Sequence, residues 1–391
     1  MRLTNPASTD DRPLADHPLA ALFDRCAERD FPEEPLYVAL CRLIARSPRL
    51  LALVEAAPPT QRRANLILAA LHDQVLAAAD GSTVPHAFTA YFPSVGGTKA
   101  PDGALAEALD AFVDRHQATL RAVIATRRTQ TNEVGRSAVL RPALAQIAHQ
   151  AANPALALFD FGCSAGLNLG VDRYRCAYPQ AGGPLTAGPA DIDAPELACR
   201  VHGRPLPPSM LADGTWHLAA RCGVDQAPVE VHDDVAVRWL RACLWPSDRA
   251  RHQRFAAAVA LARAAQDPVL RADDGLQALD TWLDQLPGGV TPVLFNSWVL
   301  AYFSPADLVA HRERVLERVQ QRGLWWLSAE DSERCWITTG LQPPDDLVPG
   351  EARADAASHT FWTLSSPSPA GPRHLLLARS HPHGAWLEWL A

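Results

Sequence analysis

The chain has 391 residues, more than one hydrophobic core usually holds, so about two domains are expected. Hydrophobic residues make up 48% and charged residues 20%, as in soluble globular proteins. A net charge of −7, with no long basic block, argues against nucleic acid as the standing partner. The apolar runs are too short to span a bilayer, and no C-x-x-C pair or apolar leader is present. We therefore expect a cytoplasmic protein with no metal and no membrane partner.

The first 150 residues predict an all-α domain. Apolar residues recur at helical spacing in five segments: 18–30, 34–46, 60–79, 102–126 and 137–151. Residues 81–100 are rich in Gly, Pro and Ser and form a loop long enough to be functional. The last helix ends at Asn153-Pro154, because proline cannot continue it.

Residues 151–391 predict an α/β domain. The run 155–161 is apolar except for Asp160, which is typical of a parallel strand buried on both faces. A glycine turn and a helix to about Tyr174 follow. The next stretch is rich in proline and irregular, with short strands possible at 197–201 and 217–222. We interpret residues 176–227 as an insertion.

Strands and helices then alternate regularly. We predict strands at 229–232, 268–271, 292–298 and 324–328, and helices at 235–244, 247–265, 274–286 and 306–321. Two final strands at 360–364 and 374–378, with 385–390 behind them, come without a helical crossover. The sequence therefore predicts a mostly parallel sheet that ends in an antiparallel hairpin.

The turn after the first strand has a clear physical logic. Gly162 and Gly166 let a strand turn sharply into a helix while a ligand approaches the backbone. The helix that follows presents free N–H groups and its positive end. Asp160 is costly to bury, so it should contact a polar ligand or a nearby donor.

The segment LFDFGCSAG at 158–166 resembles the first motif of class I methyltransferases. In that motif an apolar strand is followed by an acid and then by Gly-x-Gly-x-Gly. Asp160, Gly162 and Gly166 match, whereas Ser164 replaces the central glycine. The resemblance implies a Rossmann-like methyltransferase sheet. It also implies that Gly162, Cys163, Ser164, Ala165 and Gly166 pack against the methionine part of S-adenosylmethionine.

Further cofactor contacts follow from the resemblance. It implies that Asp233, after the second predicted strand, holds the ribose hydroxyls and that Asp273, after the third, meets the adenine amine. Asn296 and Ser297 end the fourth strand, where such enzymes present polar groups to the reacting methyl. Asn168, two residues past the turn, is expected to face the ligand.

Other readings of the turn stay open. Gly162-x-Ser164-x-Gly166 also matches the nucleophile elbow of serine hydrolases, with His381 or His383 as the triad histidine. That fold places several strands before its elbow, and here only helices precede it. The spacing does not fit a dinucleotide-binding turn. A ligand-free α/β turn and a binding protein that has lost turnover are further alternatives.

The chain also resembles, along nearly its full length, a bacterial domain-of-unknown-function family, number 2332. Three phrases carry this resemblance: ATRRTQTNEVGR at 125–136, GCSAGLNLGVDRY at 162–174 and HPHGAWLEWL at 381–390. The family's name implies no activity.

The first of these phrases predicts a substrate site. Arginine forks beside Glu133 suit carboxylate or phosphate recognition, although a solvated loop between helices is the plain alternative. We expect the substrate to meet Arg128, Gln130, Asn132, Glu133, Arg136 and Tyr174. Glu133 or His383 could act as the base, beside Asn296. The sequence thus predicts methyl transfer from S-adenosylmethionine to a small or medium-sized acceptor that it does not identify.

Overall fold

The computed structural model describes residues 17–29, 31, 34–81, 86–130, 132–190, 194–341 and 359–391. The chain forms two compact units. The first contains the described residues among Met1–Thr131 together with Asp234–His252, and the second contains those of Asn132–Asp233 and Gln253–Ala391. Within the described ranges, no helix is both long and apolar enough to cross a bilayer.

The helices and strands are as follows in chain order. The α-helices are α1 (Pro18–Arg29), α2 (Pro35–Ala45), α3 (Pro48–Val54), α4 (Ala64–Asp80), α5 (Leu105–Thr126), α6 (Ser137–Gln150), α7 (Pro208–Leu211), α8 (Asp234–Ala242), α9 (Arg249–Ala265), α10 (Gly275–Leu283), α11 (Pro305–Arg322) and α12 (Ser332–Thr339). The strands are β1 (Ala155–Phe161), β2 (Arg175–Tyr178), β3 (Leu185–Ala187), β4 (Glu196–Ala198), β5 (Arg200–His202), β6 (His217–Asp225), β7 (Val269–Arg271), β8 (Thr291–Ser297), β9 (Trp325–Glu330), β10 (Thr360–Ser366), β11 (Arg373–Ser380) and β12 (Trp386–Trp389).

The first unit is a helical bundle around one apolar core. Helices α1 to α5 bury their apolar faces together, and Trp239 of α8 packs into the same core. Proline begins α2 and α3, and the Ser47 hydroxyl accepts a hydrogen bond from Leu50 N at the start of α3. The described part of the predicted loop contains two short 3₁₀ helices, Ala87–Tyr91 and Pro93–Val95. Helix α6 belongs to the second unit, although the predicted boundary at residue 150 placed it in the first domain.

The second unit is built on a nine-stranded, mostly parallel sheet. Its strand order is β5-β12-β11-β10-β9-β8-β1-β6-β7. β1 pairs in parallel with both β6 and β8, whereas β10 pairs antiparallel with β9 and β11. From β1 the chain therefore builds outward to β7, then returns to the other side of β1 to form β8 and β9. In open α/β sheets, ligands usually bind at the carboxyl ends of the strands that flank such a reversal, which are β1 and β8 in this sheet.

The second strand of the sheet differs from the predicted one. β6 takes this place, and residues 229–232 form no strand. Val224 O of β6 accepts hydrogen bonds from Gly162 N and Cys163 N, so β6 supplies the partner that β1 requires. Val229 N donates instead to Ser164 O. The predicted insertion therefore contains a central strand, and only the segment from β2 to α7 lies outside the parallel series.

The segment after the glycine turn is a seven-residue 3₁₀ helix, Leu167–Arg173, followed directly by β2. Arg141 of α6 contacts the end of this helix, where its Nη2 donates to the carbonyls of Val171, Asp172 and Tyr174. Those carbonyls are thereby satisfied from outside the helix. The predicted helix to about Tyr174 is present, and its type is 3₁₀.

Alternation along β1 and β8 separates an apolar face from a polar one. Phe159 and Leu294 lie opposite each other and pack with the buried residues of α10 and α11. Asp160 and Ser297 point to the other face, since each lies an odd number of positions from these two residues. The carboxyl ends of β1 and β8 thus bring a carboxylate and a hydroxyl to the same side of the sheet.

Candidate functional site

The glycine turn combines three left-handed residues. The φ angles are +75° at Gly162, +53° at Ser164 and +69° at Gly166. A Cβ at Gly162 would lie 2.4 Å from Val299 Cγ2, and one at Gly166 would lie 2.7 Å from Val269 Cγ2. The protein's own packing and backbone therefore require both glycines, so glycine here is no independent sign of a ligand.

Two side chains from outside the turn hold Ser164 in place. Asn132 Nδ2 donates to Ser164 Oγ at 2.8 Å, and Asn132 Oδ1 accepts a hydrogen bond from Ala165 N at 3.3 Å. Asp225, the last residue of β6, accepts a hydrogen bond from Ser164 N at 2.9 Å. The other oxygen of Asp225 accepts a hydrogen bond from Ala227 N at 2.8 Å. The turn is thus fixed by a carboxylate on one strand and an amide before α6.

Asp160 is the most unusual group at this edge. The residue is 2% exposed, and its Oδ2 atom has no hydrogen-bond partner among the described residues. Burial, and then the charge of Asp225, raise the pKa of Asp160 to about 7, against a smaller lowering by Arg136. Ser297 Oγ is likewise buried without a partner in the described part of the chain. Both oxygens could therefore accept a hydrogen bond from a ligand.

The segment 132–136 joins the turn to the C-terminal hairpin. Glu133 Oε1 accepts a hydrogen bond from Gly135 N at 2.9 Å, and Arg136 Nε donates to Pro382 O at 2.8 Å. A Cβ at Gly135 would lie 2.3 Å from His383 O, so the two backbones touch. Asn132, Glu133 and Arg136 are buried, which rules out a solvated loop for these three residues.

The loop after β8 packs over the turn. Trp298 has a φ of +55°, and its ring lies 6.0 Å from the Arg136 guanidinium. Trp298 Nε1 donates to Thr360 Oγ1 at 2.8 Å. Glu330, at the end of β9, accepts hydrogen bonds from Val299 N and Leu300 N at 3.0 and 3.2 Å. Two strained residues that are not glycine, Ser164 and Trp298, therefore lie at neighbouring strand ends, where functional sites often store strain.

Asn296 has a different environment from the one expected of a ligand-facing group. It is 1% exposed. Its Nδ2 donates to Ser328 Oγ and Glu330 Oε1, and its Oδ1 accepts a hydrogen bond from Trp326 Nε1. It points to the apolar face of the sheet, so this environment favours a structural role.

The other predicted residues have the following surroundings. Asp233 is exposed and lies several residues after the end of β6. Asp273 is also exposed and lies two residues after the end of β7. Arg128 is exposed and Gln130 half-buried in the first unit, where Arg128 O accepts a hydrogen bond from Trp239 Nε1. Tyr174 is buried and donates to Leu167 O. Asn168 is half-buried and accepts a hydrogen bond from Ser137 Oγ at 3.2 Å.

Three residues at this edge were missed by sequence reasoning. Asp225 and Glu330 each end a parallel strand, and the rule applied to Asp233 would have found both had the strand ends been placed correctly. Trp298 carried no such signal, because its importance lies in its backbone conformation. His383 was predicted, and its backbone N donates to His381 Nδ1 at 3.0 Å within the hairpin. In the described ranges, no three His, Cys, Asp or Glu side chains are arranged to hold a metal.

The profile of a bacterial family described as "Uncharacterized protein conserved in bacteria (DUF2332)" matches residues 20–389. The chain therefore belongs to this family. No curated protein and no solved structure matches it.

Proposed function

We propose that this DUF2332 member transfers a methyl group from S-adenosylmethionine to a small or medium-sized acceptor. The observation that carries the proposal is Asp160, a buried carboxylate with an unpartnered oxygen beside a strained glycine turn. It lies where the strand order reverses, which is the usual ligand crevice of open parallel sheets. A buried carboxylate is stabilised when a ligand brings positive charge to it.

The order of the parallel strands supports a Rossmann-like methyltransferase sheet. An acid-Gly-x-Ser-x-Gly turn follows the first strand, and an acid, Asp225, ends the second. We therefore assign the role implied for Asp233 to Asp225. Its two carboxylate oxygens each accept a backbone hydrogen bond, so it orders the turn and would reach a ribose only with its remaining lone pairs.

The residues at this edge fit the amino-acid end of such a cofactor. Asp160 Oδ2 and Ser297 Oγ are both suited to accept hydrogen bonds from its ammonium group. When bound, the cofactor would supply an electrophilic methyl group on a sulfonium. The chain would then contribute mainly by positioning and by excluding water. The candidates for removing the acceptor's proton are Glu133, whose Oε1 accepts a hydrogen bond from Gly135 N, and His383, whose backbone carbonyl packs against Gly135.

Calorimetry with S-adenosylmethionine tests the proposal directly. We expect a micromolar dissociation constant, which corresponds to about −8 kcal/mol. Asp160→Asn should weaken binding at least tenfold, because the amide carries no charge for the ammonium. Asp284→Asn, on an exposed side chain, is the matched control and should bind as the wild type does. A folded wild-type protein that binds no cofactor would rule the proposal out.

Transfer itself needs a separate test. We expect Glu133→Ala to keep cofactor affinity within a few-fold of wild type and to remove methylation of the acceptor. An acceptor can be sought by incubating the protein with cell extract and labelled cofactor. Tight cofactor binding without any methylated product would instead indicate a binding or regulatory protein.

A serine hydrolase is the second candidate, and one observation favours it. Ser164 sits in a Gly-x-Ser-x-Gly turn with a strained φ of +53°, as a nucleophile elbow requires. However, its Oγ accepts a hydrogen bond from the Asn132 amide, which cannot act as a base. A fluorophosphonate probe decides between the two, because covalent labelling of Ser164 would support the hydrolase.

A further inference from the structure

The pairing of Asn132 with Ser164 explains why the central position of the turn is not glycine. Glycine adopts a positive φ without strain, whereas serine at +53° costs conformational free energy. Serine, unlike glycine, offers a hydroxyl that another side chain can hold. Here Asn132 Nδ2 donates to that hydroxyl at 2.8 Å.

The contact has two points of attachment. Asn132 Oδ1 also accepts the hydrogen bond of Ala165 N at 3.3 Å, so one amide group spans two successive residues of the turn. Asn132 is 9% exposed and Ser164 is 8% exposed, so water competes little for these bonds. The Ser164 backbone is also held on both sides, by Asp225 at its N–H and by Val229 at its carbonyl.

We infer that Asn132 is a positioning residue that holds Ser164 in the left-handed conformation needed for ligand binding at the glycine turn. The inference rests on the proposed function, because it names the residue that sets the shape of the proposed cofactor site. Asn132 acts through Ser164 and Ala165 and needs no contact with the ligand. We call the two hydrogen bonds from the Asn132 side chain to Ser164 Oγ and Ala165 N the clamp. A glycine at position 164 would make the clamp partly dispensable, since glycine adopts this conformation without help.

A double-mutant cycle tests the inference with S-adenosylhomocysteine as the probe. We expect Asn132→Ala to weaken binding at least tenfold when residue 164 is serine. In the Ser164→Gly background, where affinity should equal or exceed that of wild type, the same change should weaken binding no more than about threefold. Equal losses in the two backgrounds, or no loss in either, would overturn the inference.

Asn153→Ala supplies the matched control. Asn153 lies just before β1, at the opposite edge of the sheet. Its side chain donates to Gly289 O and Thr291 Oγ1 and accepts a hydrogen bond from Ala155 N. We expect it to lower the urea midpoint about as much as Asn132→Ala while leaving affinity within twofold of wild type. An equal loss of affinity in this control would mean that general destabilisation explains the effect.

Hydrogen exchange separates the clamp from the proposed function. Asn132→Ala removes the acceptor of Ala165 N, so exchange in a peptide covering 162–169 should accelerate, whereas Asn153→Ala should leave it unchanged. If the wild type does not bind S-adenosylhomocysteine, the proposed function is wrong. Hydrogen exchange and urea midpoints of the same four proteins still test whether Asn132 holds Ser164 in place. The clamp is wrong if exchange at this turn is unaffected or if the two substitutions alter the midpoint additively.

Discussion

The two units satisfy their buried polar groups differently. In the first, His72 is fully buried, and both ring nitrogens are used, Nδ1 at 3.0 Å from Ala242 O and Nε2 at 2.7 Å from Ser94 Oγ. His252, whose ring packs against that of His72, has a ring nitrogen, Nδ1, without a hydrogen-bond partner in the described residues. In the second unit, Asp160 and Glu330 each have one carboxylate oxygen without a hydrogen-bond partner among the described residues. Burying a carboxylate oxygen without a hydrogen-bond partner costs far more free energy than burying a neutral ring nitrogen without one. The second unit therefore holds the better candidate for a ligand site.

The two groups also respond oppositely to pH. Burial, and then the nearby His252, lower the pKa of His72 to about 3, whereas burial raises the pKa of Asp160 to about 7. Both shifts favour the neutral form. The protein should therefore lose stability from His72 as the pH falls and from Asp160 as the pH rises.

The largest expected effect is acid destabilisation of the first unit. Because the pKa of His72 is depressed, its contribution is complete above pH 6.5 and is lost as the pH falls towards 3. The full loss is about 5 kcal/mol from this group alone. His72→Asn, which keeps a donor for Ala242 O, should flatten this dependence, as measured by urea unfolding between pH 7 and pH 4. An unchanged pH dependence would show that another group dominates.

Asp160→Asn should have the opposite pH dependence. In wild type the favourable contribution of Asp160 is complete below its unfolded pKa and is lost as the pH rises through about 7. The amide does not titrate, so the unliganded variant should gain up to about 4 kcal/mol relative to wild type between pH 4 and pH 8. Thermal unfolding at the two pH values checks this. A variant less stable than wild type at pH 8 would mean that the ionised carboxylate has a partner in solution.

Gly162→Ala should lower stability by about 3 kcal/mol, from left-handed strain and a clash with Val299. Gly323 is the control, because its φ of +64° is similar and nothing lies within 4 Å of the added Cβ. Gly323→Ala should cost only about 1 kcal/mol. Urea unfolding measures both. Equal losses would show that Val299 moves aside and that the turn has room for a ligand.

The smallest effect should come from exposed ion pairs. Arg322 of α11 pairs with Asp284 after α10, and both side chains are exposed. Arg322→Ala should change the free energy of unfolding by less than about 0.5 kcal/mol. A larger change in urea unfolding would mean that surface pairs contribute as much as the buried groups compared above.

Most of the fold could be predicted from apolar patterning. β1 was predicted to the residue, and α10, β8, α11, β9, β10 and β11 were placed within a few residues, because apolar residues cluster in each of them; α12 was not predicted. β6 was predicted only as a possible short strand at 217–222 within the insertion, because its place in the sheet depends on pairing with β1. The local sequence does not determine which distant strand a segment pairs with.

The site was predictable only in part. The acid and glycines of the turn follow from the sequence, and so does the polar character of Asn132, Glu133 and Arg136. Their contacts with Ser164 and with the His381–Gly384 loop depend on residues up to about 250 positions apart in the chain. The strained φ of Trp298 is likewise set by tertiary contacts and leaves no trace in composition.

The interrupted course of the chain has a consequence for synthesis on the ribosome. Helix α8 belongs to the first unit, yet residues 132–233 of the second unit are translated before it. Trp239 of α8 packs into the core of the first unit, so that core is incomplete until this helix has left the exit tunnel. The core of the first unit therefore lacks Trp239 while about 100 residues are translated, roughly 5 to 20 seconds of elongation. During that interval the nascent chain is a natural client for chaperones.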